Sequence, residues 1–245
     1  MKIAMAVLFL SLGITSTAQS QVFVERVTGG ALDLVWLNGF GVSANMQPMT
    51  LSPGHPAYAN PSGDHTVARA TSMPVDSGGI VLSATETYGT PDYSWEAWVF
   101  TGDGNTRRGL VVRADPNNDF QSNYQFVIQN GAFQLALRKL VNGAPTTLGS
   151  WFATVLPAGS ITLNAWHKMR VVAMGPRLSC FFDDFELTPP GGILDTELTE
   201  GWVGVYNFRF DLGSIDFLTD DLTLELSQTT PAATTTWGRI KAAYR

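Results

Sequence analysis

Residues 123–143 read NYQFVIQNGAFQLALRKLVNG and carry the clearest folding signal in the chain. Apolar side chains occupy alternate positions in both halves of this stretch, which is the period of a β-strand with one buried face. The alternating residues are Tyr124, Phe126 and Ile128 in the first half and Phe133, Leu135 and Leu137 in the second. Asn130-Gly131 separates the halves and Asn142-Gly143 ends the second, and Asn-Gly supplies the positive φ angles of a tight turn. The stretch therefore predicts two successive antiparallel hairpins.

The same pattern continues on both sides of this stretch. Short strand-like runs alternate with turn residues, and few windows place apolar residues at helical spacing. The other runs are GGIVLSAT, YSWEAWVF, RRGLVVRAD, HKMRVVAM, RLSCFF, GWVGVYNFRF and DDLTLEL, the last with Leu222, Leu224 and Leu226 on one face. Residues 41–79 are rich in Pro and Gly and predict long loops around one short strand near Thr66–Ala70. Many short strands joined by regular turns predict an all-β sandwich or barrel.

The N-terminal sequence MKIAMAVLFLSLGITSTAQSQ has the layout of a secretory signal peptide. Lys2 gives a positive start, residues 3–14 are apolar, and Ser16-Thr17-Ala18 offers small residues for cleavage. We therefore predict a signal peptide over residues 1–18 and a secreted, periplasmic or cell-surface location. No later run is long and apolar enough to predict a transmembrane helix in the mature chain.

The charge of the chain narrows the classes of partner, and its cysteine content indicates the source of its stability. The chain has 15 basic and 21 acidic residues, a net charge of −6, and the basic residues form no stripe along the sequence. Nucleic acid is therefore not expected as a partner. The single cysteine, Cys180, lies in the apolar run LSCFF, so we expect a small core residue. Without a disulfide within the chain, stability must come from burial.

The C-terminal end differs in composition from the rest of the chain. Residues 227–236, SQTTPAATTT, predict a low-complexity linker. Residues 237–245 predict a short helical tail with Trp237, Ile240 and Tyr244 on one side. Two roles stay open for this tail: a sorting tag that engages secretion or anchoring machinery, or a helix that docks back on the preceding domain.

The acidic stretch FFDDFEL, residues 181–187, allows two interpretations. As one continuous strand, it would place Asp183 in an apolar row with Phe181 and Phe185, and burying an unpaired carboxylate is costly. As a hairpin, it would place Asp183-Asp184 in a two-residue turn, and Asp tolerates turn geometry while both charges stay in water. The hairpin is favoured on energetic grounds, with Phe182 opposite Phe185.

The order of motifs between about Tyr93 and Leu226 resembles a known family. The motifs are RRGLVVRAD, NYQFVIQNGAFQLALRKLVNG, NAWHKMRVVAMGPRLSCFFDD and GWVGVYN followed by IDFLTDDLTLEL. In this order they resemble the concanavalin A-like jelly roll, in particular its laminin-G-like and sugar-hydrolase-like bacterial branches. The resemblance implies a two-sheet antiparallel jelly-roll sandwich over residues 19–226. It also implies that VFVERV or ALDLVW, near the N-terminus, pairs with the closing DDLTLEL strand.

The resemblance also raises the question of glycosidase activity. Jelly-roll glycosidases that cut β-glucans and agar carry a Glu-x-Asp-x-Glu strand, and here Asp184 and Glu186 would fill the last two places while Phe182 falls on the first. A retaining mechanism needs a nucleophilic carboxylate about 5–5.5 Å from the acid/base, and Phe182 cannot supply it. An inverting pair of acids from separate strands stays open.

Four residues are candidates for contact with a sugar. Glu96 and Trp98 would share a face of YSWEAWVF, and Arg113 would lie nearby if RRGLVVR pairs with that strand. An indole ring stacks on the apolar face of a pyranose, while Arg and Glu hydrogen-bond its hydroxyls. Trp151, which follows a loop, is the fourth candidate. The alternative is that these tryptophans fill the core.

The sequence ADPNNDF suggests one cation site. Asp115, Asn117 and Asp119 stand at alternate positions, as in the first part of an oxygen-rich calcium loop. The residues required for an EF-hand do not follow, and the same sequence is also typical of a solvated hairpin tip. Calcium is therefore a candidate ligand, and no cofactor is required by any other motif.

Motifs for catalysis are not found in the sequence. There is no G-x-S-x-G elbow and no HExxH, and His55, His65 and His167 lack metal-binding spacing. The expected function is therefore that of an exported, non-catalytic module that binds carbohydrate or a cell-surface glycan. Two alternatives stay open: a jelly-roll hydrolase whose acids come from separate strands, and a structural surface protein that works through its C-terminal tail.

Overall fold

The computed structural model describes residues 21–41, 46–70, 77–83, 92–102, 105–159, 161–210 and 217–227, with the backbone alone at residue 40 and residues 77–83. The predicted signal peptide, the predicted tail and nearly all of the predicted linker lie outside these residues. No helix within the described ranges has the length and apolar character needed to cross a membrane.

The described chain consists of sixteen strands with short 3-10 turns between some of them. The strands are β1 (Gln21–Glu25), β2 (Trp36–Gly41), β3 (Met46–Thr50), β4 (Thr66–Ala70), β5 (Ser77–Ser83), β6 (Tyr93–Phe100), β7 (Thr106–Ala114), β8 (Asn123–Gln129), β9 (Gln134–Val141), β10 (Ala144–Phe152), β11 (Trp166–Met174), β12 (Arg177–Phe182), β13 (Phe185–Glu186), β14 (Ile193–Leu194), β15 (Trp202–Arg209) and β16 (Phe217–Leu226). The predicted strand at Thr66–Ala70 is confirmed, and each of the seven runs listed with GGIVLSAT contains a strand in its described part. The prediction of a single strand within residues 41–79 is wrong, because β3 also lies there.

The strands form two antiparallel sheets packed against each other. Sheet A has the order β13-β12-β11-β6-β16-β4-β3, with β1 also paired to β16 and β14 to β12. Sheet B has the order β10-β9-β8-β7-β15-β5-β2. The chain passes from one sheet to the other repeatedly, as between β6 and β7. The predicted all-β, two-sheet jelly-roll sandwich is confirmed.

One core lies between the two sheets. It combines the inward residues of both sheets, among them Trp95, Tyr124, Phe126, Phe182 and Leu224, all of which are buried. The Trp95 indole Nε1 donates to the Gly204 carbonyl at 2.8 Å, which joins sheet A to sheet B. Cys180 is fully buried in this core, as predicted, and burial raises the pKa of its thiol.

Two of the predicted tight turns are confirmed by the backbone, while neither Asn130 nor Gly131 has the predicted positive φ angle. Asn142 and Gly143 have φ angles of 50° and 78°, and Asp183 and Asp184 have φ angles of 48° and 62°. Two successive positive φ angles define the turn whose twist matches that of a hairpin. Phe182 pairs with Phe185 across the second turn, so FFDDFEL is a hairpin and not a continuous strand.

One detail of the first hairpin was wrongly predicted. Asn130–Ala132 forms a 3-10 turn, and Phe133 follows it in the left-handed region with φ 48°. Its side chain is 44% exposed, whereas Leu135 and Leu137 are buried. Phe133 does not share their face because strand geometry begins only at Gln134.

The N-terminal strand closes sheet A as expected. Of the two predicted candidates, VFVERV is correct: β1 pairs with β16 from Gln21↔Leu226 to Glu25↔Leu222. The alternative, ALDLVW, contributes only Trp36 to a strand, and that strand pairs with β5 in sheet B. The buried Glu25 carboxylate holds the intervening bend, accepting from Asp33 N at 2.8 Å and Trp36 Nε1 at 3.0 Å.

Two strands at sheet ends carry a proline. Pro48 lies in β3, the last strand of sheet A at one end, and Pro145 lies in β10, the last strand of sheet B at one end. Proline fits such a strand because its missing N–H can face away from the paired neighbour.

The segment between β3 and β4 packs on the outer face of sheet A. Leu51 and Ala57 are buried there against Phe100 and Leu218. The largely buried Asp220 fastens this segment, accepting from Asn60 Nδ2 at 3.0 Å and from Ser62 N at 2.9 Å. Part of the outer face of sheet A is thereby covered by the chain itself.

Candidate functional site

A shallow groove crosses the outer face of sheet B, over strands β7 to β10. Its volume is about 90 Å³. Sites that enclose a drug-sized ligand measure about 300–1,000 Å³, so this groove is open and contacts one side of a ligand. Six polar residues line it: Arg107, Gln129, Gln134, Arg138, Thr147 and Ser150.

The groove follows from the register of neighbouring strands. Its floor is a row of small residues aligned across four strands, and the half-buried Tyr206 extends the row onto β15. In order across the sheet the row is Tyr206, Gly109, Val127, Ala136 and Ser150. Because outward side chains recur every second residue, the adjacent outward rows lie two residues to either side. Small side chains between two rows of long ones leave a trough.

The upper wall of the trough is the row Phe208, Arg107, Gln129 and Gln134. The Arg107 Nη2 atom donates to Gln129 Oε1 at 2.8 Å, and its guanidinium lies 5.2 Å from the centre of the Phe210 ring. The Gln134 Nε2 atom donates to the Oγ atom of Ser150, on the floor, at 2.6 Å. Each group is thereby held in place while keeping hydrogen-bonding capacity for a ligand.

The lower wall is the row Val111, Gln125, Arg138 and Thr147. Gln125 is only 1% exposed, and neither polar atom of its amide has a hydrogen-bond partner among the described residues. The buried Nη1 of Arg138 also lacks a partner there. An unsatisfied buried polar group costs about 1–3 kcal/mol, so the Gln125 amide and the Arg138 Nη1 atom are energetically costly features of this wall.

The two arginines of the walls influence each other. The pKa of Arg107 is lowered, first by burial and then by the positive charge of Arg138, against a partial opposing effect of Tyr206. No acidic side chain is among the residues that line the groove. In the described part of the chain, neither arginine forms an ion pair with a carboxylate. The groove is therefore a positively charged patch on a chain with net charge −6.

The sequence-predicted residues Glu96 and Trp98 lie elsewhere, on the outer face of sheet A. They share that face, as expected, and both are half-buried. Glu96 is occupied by ion pairs: its Oε1 lies 3.2 Å from Lys168 Nζ, and its Oε2 lies 3.7 Å from Arg170 Nε. Contact of Glu96 and Trp98 with a ligand stays a prediction.

The predicted neighbourhood of Arg113 is wrong. Its strand, β7, lies in sheet B, whereas β6 pairs with β11 and β16 in sheet A. Arg113 is 0% exposed, with φ 51°, and its guanidinium donates to the carbonyl oxygens of Leu198 and Gly175. Arg113 therefore fastens two connections against the end of β7 and is not brought together with Glu96 and Trp98.

Trp151 is packed towards the interior. It pairs with the buried Leu135, and its ring lies over Gly149, where an added Cβ would come within 2.7 Å of the indole. The ring contacts the core only in part, since Trp151 is half-buried. It is separate from Glu96 and Trp98, because β10 is an end strand of the other sheet.

The first residue of the predicted calcium loop, Asp115, has a structural role. Asp115 Oδ1 accepts from the Asn117 backbone N at 2.9 Å and caps the 3-10 turn Pro116–Asn118. Asn117 and Asp119 are exposed, and Asp119 adopts φ 54° at the end of the turn. No group of three metal-ligating His, Cys, Asp or Glu side chains occurs in the described ranges. Calcium binding here stays a prediction.

The Asp183-Asp184 hairpin is held by local contacts. Asp183 Oδ2 lies 2.7 Å from His167 Nδ1, and Asp183 Oδ1 accepts from Lys168 N at 2.9 Å. Asp184 is at the exposed tip and Glu186 is on the other arm, so they do not lie on one strand as glycosidase acids do. A mostly apolar cavity of about 160 Å³ lies beside the hairpin, lined by Leu156, Phe182 and Phe185 among others.

In strand β8, the sequence-based prediction used the inward residues and not the outward ones. The inward residues Tyr124, Phe126 and Ile128 identified the strand, while the outward residues Gln125 and Gln129 received no role. Amides on the outer face of a central strand are a usable signal, because Gln is uncommon in a buried position. The pairing of four strands is what joins them to Arg107 and Arg138 in one groove.

Solved structures share this architecture. The carbohydrate binding module CBM66 from Bacillus subtilis aligns with a TM-score of 0.54 and 17% identity, over 79% of this chain and 97% of that one. A protein of unknown function from Shewanella oneidensis MR-1 aligns with a TM-score of 0.50 and 11% identity, over 86% and 89% of the two chains. These likenesses show the fold alone, a two-sheet jelly-roll sandwich. No protein-family model matches the chain, and no curated protein matches it in sequence.

Proposed function

We propose that this protein is an exported, non-catalytic carbohydrate-binding module and that the sugar binds in the groove on the outer face of sheet B. The single observation that carries the proposal is the trough itself. A floor of small residues runs between two walls of amide and guanidinium groups, with Tyr206 at one end. The laminin-G-like assignment is part of this proposal.

The chemistry of the groove suits a sugar ring. Hydroxyl groups of a sugar both donate and accept hydrogen bonds, and the Gln129 and Gln134 side chains offer both functions. Arg107 and Arg138 add charge-assisted donors, which are stronger than neutral ones. Tyr206 provides an aromatic surface next to Gly109, where no side chain intervenes.

The open shape favours an extended chain over a small enclosed molecule. The groove crosses four neighbouring strands, from β7 to β10, and strands lie about 4.8 Å apart, so the trough is about 14 Å long. That length accommodates several sugar units in line. The likeness in fold to a carbohydrate binding module supports the same class of ligand.

A glycan array tests this proposal. We expect the purified protein to bind a subset of glycans without releasing products. A double variant, Gln129→Ala with Gln134→Ala, should lose that binding because it removes the amides of one wall. The matched control is Gln47→Ala, which removes an amide that accepts from Arg69 on the outer face of sheet A.

Retained binding in the double variant, or equal loss in Gln47→Ala, would place the sugar outside this groove. Release of shortened glycans would contradict the non-catalytic part of the proposal. The predicted role of the C-terminal tail is tested separately by deleting residues 237–245 and locating the protein after export.

A further inference from the structure

The groove differs from a neutral sugar site in its charge. Both of its walls carry an arginine, and the residues that line it include no Asp or Glu. On the outer face of sheet A, by contrast, Lys168 and Arg170 both lie within 4.0 Å of Glu96. Positive charge in the groove is thus not neutralised by the groove's own side chains.

Holding two guanidinium groups around one trough is unfavourable unless an anion is present. Arg107 is half-buried, and partial burial strengthens electrostatic interactions because less water screens them. Arg138 Nη1 is buried without a partner in the part of the chain that the structure describes. An anionic ligand in the groove would offset the positive charge of both guanidinium groups.

We infer that the groove selects sugars that carry an anionic group, a carboxylate or a sulfate, and that Arg107 and Arg138 recognise it. This inference rests on the proposed function and adds the class of sugar. Guanidinium groups bind planar carboxylates and sulfate-type oxygens through paired N–H donors. The Gln129 and Gln134 amides then contact the hydroxyls of the same ring or its neighbour.

Both anion types share the same recognition chemistry, so the experiment contains an arm for each. The first arm compares oligogalacturonate with its fully methyl-esterified form, which keeps the sugar and removes the charge. The second arm compares chondroitin sulfate with chemically desulfated chondroitin. Affinities of the full chain are measured by calorimetry at two salt concentrations.

We expect the charged form to bind at least tenfold more tightly than its neutral counterpart in one arm, with a preference that weakens at high salt. Arg138→Gln should reduce that preference at least tenfold, and Arg107→Gln should have a similar effect. The matched control is Arg69→Gln, because Arg69 donates to Gln47 on sheet A as Arg107 donates to Gln129 on sheet B.

Three outcomes would overturn the inference. Equal binding of charged and neutral forms removes the preference while leaving carbohydrate binding intact. An equal loss in Arg69→Gln assigns the effect to the overall charge of the protein. Binding only to neutral glycans on the array supports the proposed function and rejects the anionic class. Thermal unfolding of each variant shows whether a lost affinity reflects lost folding.

Discussion

The outer faces of the two sheets are built from similar residues and arranged in opposite ways. On sheet A, Glu96 lies between Lys168 and Arg170, and Lys168 also reaches Asp184. On sheet B, the side chains that line the groove with Arg107 and Arg138 are amides, hydroxyls and aliphatic groups, and none of them is acidic. Each face even has an Arg–Gln pair across two strands, Arg69 with Gln47 and Arg107 with Gln129.

This contrast is the reason for proposing that the ligand binds on sheet B. A face whose charges are balanced has little remaining electrostatic attraction for a ligand, and exposed ion pairs contribute little to stability. A face with unmatched cations and the unsatisfied Gln125 amide bears a cost that folding alone does not explain. We therefore place ligand binding on sheet B and assign sheet A a supporting role.

The largest expected effect comes from filling the trough. Ala136→Trp places an indole on the floor between the two walls, so we expect at least a hundredfold loss of glycan affinity with little change in the melting temperature. Val172→Trp is the matched control, because Val172 is a half-buried outward residue on sheet A. Equal losses in both variants would break the contrast between the faces.

The next effect is on stability and concerns the segment that covers sheet A. Asp220→Ala removes the acceptor for Asn60 Nδ2 and Ser62 N, so we expect a loss of about 2 kcal/mol in the free energy of unfolding. Glycan affinity should stay unchanged, because Asp220 is on the sheet opposite the groove. A parallel loss of affinity would show that sheet A takes part in binding. Chemical denaturation measures the first quantity and calorimetry the second.

A smaller loss, of about 1 kcal/mol in the free energy of unfolding, is expected when the charge of the Asp195 carboxylate is removed. Burial opposes ionisation of Asp195, but hydrogen bonds from Lys139 and Tyr124 outweigh it and hold its pKa below the ordinary value of 3.8. A lowered folded-state pKa contributes stability that is present above the unfolded value and is lost as pH falls through the folded value. Asp195→Asn should therefore destabilise the protein at neutral pH and match the wild type more closely in acid.

Asp220 acts in the opposite direction and must be separated from Asp195. Burial raises the pKa of Asp220 above the ordinary value of 3.8. Its contribution to stability therefore declines as pH rises from that ordinary value through the pKa of the folded state. Denaturation of Asp195→Asn and Asp220→Ala at pH 7 and pH 3 distinguishes the two groups. A difference between Asp195→Asn and the wild type that grows on acidification would contradict the assignment.

The smallest effect is expected for the ion pairs of sheet A. Glu96→Gln leaves Lys168 and Arg170 without their shared partner, and partly exposed pairs of this kind contribute about 0.5 kcal/mol. We expect a change of this size in denaturation and no change in glycan affinity. A loss of affinity would instead support the sequence-based choice of Glu96 as a sugar-binding residue.

Local sequence was sufficient for features that depend on neighbours along the chain. Asp183-Asp184 and Asn142-Gly143 form the predicted turns because turn chemistry is decided largely by adjacent residues. Asn130-Gly131 is the exception, since it lies in a 3-10 turn. Strand β10, APTTLGSWF, was not predicted because most of its residues are exposed and show no apolar alternation. An end strand with one partner does not need a buried face.

The candidate site could not be predicted because it depends on which strands become neighbours. Arg113 was placed beside Glu96 on the assumption that successive strands pair, whereas β6 and β7 belong to different sheets. The groove joins residues from β7, β8, β9 and β10 through a shared register. Register across several strands is a property of the folded sheet, so only the outward amides of β8 could have suggested it.

The prolines in the two end strands affect whether copies of this protein aggregate at high concentration. An end strand with free backbone donors can recruit a strand from another molecule, which begins fibril growth. Pro48 and Pro145 each remove one such donor from β3 and β10. If the proposed function is correct, copies bound along one polysaccharide would be close together, and these two residues would then oppose the joining of neighbouring copies into one continuous sheet.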